Sequence, residues 1–139
     1  MKRNLIGILS LVVLPLLLSA TGAYAQSAVQ GNVPFAFKVG RTELPAGTYR
    51  IKTENTNNTI MIQNCDTGKA VMSIAQQEYP RATTSKLVFH HLGNQYFLTQ
   101  IIGPAGSTGM SLPASKLERE LELASGPSNA DEEVIIALN

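Results

Sequence analysis

Apolar and polar residues alternate over most of the chain, and the alternation predicts strands. Val33, Phe35, Phe37 and Val39 occupy every second position, which puts all four side chains on one face of an extended segment. Leu44-Pro45-Ala46-Gly47 then reads as a turn, with Pro presetting φ and Gly tolerating a positive value. Residues 48–53 resume the pattern, with Tyr49, Ile51 and Thr53 opposite Arg50 and Lys52. A polar turn over 54–58 leads to a strand over 59–64, in which Ile60 and Ile62 oppose Met61 and Gln63. Cys65-Asp66-Thr67-Gly68-Lys69 closes a hairpin onto a strand over 70–75, with Gly68 in the left-handed position. Residues 76–84 form a polar loop.

The segments 85–92 and 95–102 are joined only by Gly93-Asn94, which suits a type II′ or type I′ turn and fixes the register. Leu92 then faces Gln95, His91 faces Tyr96, His90 faces Phe97 and Phe89 faces Leu98. One face carries Leu87, Phe89, His91, Tyr96 and Leu98, and the other Val88, His90, Leu92, Phe97 and Ile101. Large apolar groups on both faces predict a central hairpin covered by a second sheet, the C-terminal helix or another subunit.

After a flexible loop containing Gly103, Gly106 and Gly109, the period changes. Ser115-Lys116-Leu117-Glu118 fits a capping box, and Leu117, Leu121 and Ala124 recur at helical spacing, with Glu118, Glu120 and Glu122 mostly outward. This predicts a helix at about 115–124, stopped by Gly126-Pro127, and a last strand over 134–138. Strands joined by short turns build antiparallel sheets. The predicted fold is therefore all-β: a meander of about seven strands forming a small sandwich or barrel, with one short C-terminal helix.

The first 25 residues follow a different pattern. Lys2 and Arg3 precede an apolar run from Leu5 to Leu18, and Ala23-Tyr24-Ala25 supplies small residues at alternating positions. This is the layout of a Sec-type signal peptide cut after Ala25. The run contains Pro15 and is shorter than the ~20 apolar residues that span a bilayer. The expectation is export to the periplasm or medium as one β domain, residues 26–139, without a stable membrane span.

Apolar residues make up 44% of the chain and charged residues 15%, which excludes a disordered polymer. The formal net charge of +1 is too small for a nucleic-acid binder. The charge is unevenly placed. Residues 26–115 hold seven basic and four acidic groups, whereas residues 116–139 hold two and six, an acidic tail that is either solvated or packed on a mildly basic body. Cys65 stands alone, so an internal disulfide is excluded, and an exposed thiol in an oxidising compartment could join two chains.

The segments Val33–Gly40, Leu44–Tyr49, Ser85–His90 and Gln95–Leu98 resemble a group of uncharacterised small secreted β-rich proteins of the acidobacterial type. The resemblance spans roughly residues 33–124. It implies secretion and a compact β domain, and brings no catalytic or ligand-binding residues with it.

No constellation in the sequence points to a reaction. His90 and His91 are adjacent on a strand and project to opposite faces, so one metal does not take both. Two His and one Cys are too few for the usual closed zinc set. Cys65 beside Asp66 lacks the flanking signature of a nucleophile. The three loop glycines are not followed by the Lys-Ser/Thr of a phosphate loop. Asn57-Asn58-Thr59 matches a glycosylation sequon of little weight. Glu43, Glu54, Asp66 and Glu78 show no spacing that pairs them across a cleft. The sequence thus predicts a non-enzyme with no catalytic, cofactor-binding or metal residues and no cofactor, structural or binding in role at the cell envelope. The alternatives are a subunit that assembles by strand addition with residues 26–39 as donor, a small-ligand carrier, and a Cys-dependent hydrolase.

Overall fold

The computed structural model describes residues 28–54, 58–79, 83–104, 109–126 and 132–139. The predicted signal segment, Asn57 of the sequon, Gly106 of the glycine loop and Pro127 lie outside the described residues. Among the described residues the fold is all-β with one short C-terminal helix, as the pattern predicts. In chain order the described elements are β1 (Ala28–Val33), β2 (Phe37–Val39), β3 (Thr42–Leu44), β4 (Gly47–Glu54), β5 (Thr59–Asn64), β6 (Ala70–Ile74), β7 (Gln76–Glu78), β8 (Lys86–Leu92), β9 (Gln95–Ile102), β10 (Gly109–Ser111), α1 (Lys116–Ser125) and β11 (Glu132–Ala137).

Two curled sheets pack into a half-barrel sandwich. One has the order β1-β4-β5-β6 and the other β11-β8-β9-β10-β7, with β2 and β3 attached beside β9. Among the described residues all pairs are antiparallel except a parallel bridge between Lys38 and Phe97. The expected meander is broken in two places. Pro34 cannot donate a ladder hydrogen bond, so the anticipated strand over 33–39 splits into β1 and β2, and β2 leaves for the other sheet. The chain crosses again between β6 and β7 at Ala75, which is buried. The tally of about seven strands falls short because the segment 33–39 divides in two and because β3, β7 and β10 have three residues each, too short to display a period. β7, inside the predicted polar loop, is exposed at all three positions and is held by backbone pairing to β10.

The sheets also meet along a seam. The Asn139 amide donates to the Gln30 carbonyl at 3.0 Å, and the Gln30 amide donates back to the Asn139 carbonyl at 3.5 Å. Gly31 lets the strands approach closely here, since a Cβ would push the Leu138 side chain aside.

The β8–β9 hairpin has the predicted register from Leu92↔Gln95 to Phe89↔Leu98. Gly93 has φ 61°, and Asn94 is not among the residues with positive φ, which selects the type II′ turn. Beyond Leu98 the prediction fails by one residue. Val88 pairs with Gln100, so Thr99 is an extra residue, a β-bulge whose Oγ1 donates to the Val88 carbonyl at 3.0 Å. The bulge returns Ile101 to the face of Leu87 and Leu98, in the main core, rather than to the face of Val88 and Phe97.

Aromatic rings link the two sheets through that core. Tyr49 meets Phe37 edge-on at 5.0 Å, Phe37 meets Phe89 at 5.2 Å, and Phe89 meets Phe35 at 5.2 Å. Phe35 stacks on Tyr96 at 4.0 Å and Tyr96 on His91 at 4.3 Å, which carries the chain of rings out to the surface. The opposite face of the hairpin, with Val88, His90, Leu92 and Phe97, is the one on which α1 docks.

Candidate functional site

The helix N-terminus is built as its sequence predicts. Ser115 is the N-cap, its Oγ accepts from the Glu118 amide at 3.2 Å, and Glu118 Oε2 accepts from the Ser115 amide at 3.2 Å. Gly126, with φ 63°, ends the helix. The inward face differs from the prediction. Leu117 is 37% exposed and Leu123 85%, whereas Glu118 is only 5% exposed and Leu121 and Glu122 are half-buried. Glu118 and Glu122 therefore point toward the sheet rather than to solvent. The reason lies on β8: His90 projects from the face that receives the helix, and its Nδ1 lies 3.5 Å from Oε1 of Glu118 and 3.5 Å from Oε1 of Glu122.

These three side chains are the strongest functional grouping among the described residues. Their potential ligand atoms all lie within 4.8 Å of one another. Burial pushes the Glu118 carboxyl above its ordinary range, and the neighbouring Glu122 charge pushes the same way. The Ser115 amide and His90 pull it back in part. Glu118 divides its oxygens, with Oε2 in the cap and Oε1 facing His90. His90 Nδ1 is itself buried and completes no hydrogen bond.

The strand alternation puts His90 on a face apart from His91, as observed, but does not reveal its partners. The available signal was Glu-x-x-x-Glu at helical spacing, which puts two carboxylates on one side of a helix. What hid it was the leucine periodicity, which pointed the other face inward.

The remaining candidates stay apart. His91 stacks on Tyr96 and pairs with Glu132 of β11, Nδ1 to Oε2 at 3.2 Å. Cys65 is exposed in the β5–β6 turn of the first sheet, while both histidines lie on β8 of the second. Asp66 belongs to the same turn, where its amide donates to Asn64 Oδ1 at 2.8 Å. Glu43 approaches Lys38 at 4.0 Å, and Glu78 lies on β7. Gly103 follows the last residue of β9, and Gly109 starts β10. A cleft of about 250 Å³ opens beside Phe37, Lys38, Asn94 and Tyr96, and another of about 290 Å³ beside Lys38, Arg41 and Lys116. No described helix is long and apolar enough to cross a membrane.

The chain matches no protein-family model, and comparison with curated proteins and with solved structures finds no match.

Proposed function

We propose that the protein is an exported, non-enzymatic β domain that acts through its surface, in a binding or structural role at the cell envelope. The observation that carries this reading is the filled interior. Tyr49, Phe37 and Phe89 are among the largest fully buried side chains and occupy the space a carrier would leave for its cargo. The clefts of about 250 and 290 Å³ fall just below the ~300–1,000 Å³ common for small-molecule sites. The signal-like pattern of residues 1–25 supports export. Native mass spectrometry of protein purified from fractionated host cells tests both halves. The expected result is a ligand-free chain beginning at Gln26, outside the cytoplasm. A co-purifying small molecule overturns the surface reading, and intact precursor in the cytosol overturns export.

A second reading, assembly through a sheet edge, is favoured by β6. It pairs with β5 at the margin of its sheet, and Met72 and Ile74 are 61% and 70% exposed on it. Within the donor anticipated at 26–39, β1 is already paired with β4 and β2 with β3 of its own chain. Size-exclusion chromatography across a concentration series checks this reading. Assembly predicts earlier elution as concentration rises, abolished by joint Met72→Lys and Ile74→Lys replacement. One monomer peak at every concentration removes it.

A further inference from the structure

We propose that His90, Glu118 and Glu122 form a zinc-type divalent-cation site that fastens α1 to β8. The donor set is one imidazole nitrogen and two carboxylate oxygens, drawn from two elements far apart in sequence. Zinc with bonds of ~2.0–2.2 Å to such ligands in tetrahedral geometry sets ligand–ligand edges near ~3.4 Å. His90 Nδ1 stands 3.5 Å from each glutamate Oε1, so two edges of that polyhedron are already in place. The third, between the carboxylates, lies within 4.8 Å and closes by side-chain rotation.

Three further observations favour a cation between these atoms. The ring nitrogen is buried, 3.5 Å from each of two carboxylate oxygens, and completes a hydrogen bond to neither. Glu118 is oriented from behind: the Ser115 amide holds Oε2 and leaves Oε1 for the site, as outer-shell partners orient metal ligands. Two carboxylates on successive helical turns, one of them with a side chain only 6% exposed, share a single histidine as their ion-pair partner. Protonation of that histidine offsets one negative charge, whereas a dication offsets both. The Glu122 side chain, 36% exposed, leaves the fourth position open to water. A nitrogen and two oxygens suit zinc better than magnesium or calcium, which take six or more oxygen ligands.

The test is calorimetric titration of the purified full-length chain, stripped with a chelator, with Zn²⁺ alone and with Mg²⁺ alone. The expected result is one zinc per chain, no comparable magnesium binding, and a melting temperature that rises with zinc concentration. Glu118→Gln keeps the capping-box geometry, since Gln serves at that position, and weakens zinc binding at least about tenfold. Glu122→Gln and His90→Gln do the same without touching the cap. His91→Gln and Cys65→Ser leave affinity unchanged. The proposal is overturned by absence of zinc binding, by magnesium binding of equal strength, or by zinc affinity that survives both His90→Gln and Glu122→Gln.

Discussion

Asn64 ends β5 with its side chain buried against Tyr49 and the following turn. Its Oδ1 accepts from the amides of Asp66 and Thr67, at 2.8 and 2.9 Å, so one buried amide shapes the hairpin. Replacing Asn64 with Ala removes both hydrogen bonds from a turn whose residues are exposed to water, and costs about 1–2 kcal/mol; urea denaturation reads the loss. Tyr49 donates its hydroxyl to the Pro45 carbonyl, and burial raises its pKa above the ordinary 10.0. The Asn64 hydrogen bond lowers it and the Asp66 charge raises it, both in smaller measure. A folded-state pKa above the unfolded value means that the folded protein keeps the proton longer. The contribution is whole below pH 10 and is lost as pH rises toward the folded pKa. The urea midpoint should hold steady to about pH 9 and fall above pH 10, and Tyr49→Phe should flatten that fall. The sequence showed Tyr49 facing inward and Gly68 left-handed. It did not show Asn64 as a buried anchor, because an Asn before a turn has the same spelling whether its amide is solvated or enclosed.

At the scale of single elements, α1 was readable in its ends and unreadable in its orientation. Ser115, Glu118 and Gly126 mark the boundaries by local chemistry alone. Which face turns inward depends on what waits there, and β8 presents a histidine between buried apolar groups. Periodicity tells which residues share a side, and the partner decides which side is covered. Ser115→Ala should cost about 1 kcal/mol through loss of the cap, with reduced helical signal in circular dichroism. The hairpin offers a parallel case. Its turn and the first four pairs follow from Gly93-Asn94, but Thr99 inserts itself into β9 and shifts every later side chain by one place. Nothing local distinguishes Thr99 from an ordinary strand residue, since the bulge also depends on β10, whose following residue Leu112 donates its amide to the Thr99 carbonyl at 2.8 Å.

Across the whole molecule, the strands were legible and their partners were not. Alternation reports that a segment has a buried face and carries no address for the neighbour it will pair with. The departure of β2 and β3 to the second sheet and the crossing at Ala75 are settled by long-range packing. The seam depends on the last two residues. Leu138 is 8% exposed, its amide donates to the Ser85 carbonyl at 3.0 Å, and Asn139 bonds to Gln30. Ending the chain at Ala137 should cost about 3 kcal/mol or more, the sum of a lost buried leucine and the seam hydrogen bonds, and lower the melting temperature accordingly.

Gln30 and Asn139, which bond across that seam, stand 109 positions apart. Closing so long a loop costs more entropy than closing any hairpin between them, so β1 acquires its outer neighbour late. Until then its rim is open to a stray strand, and the closing bond doubles as a guard against misassembly.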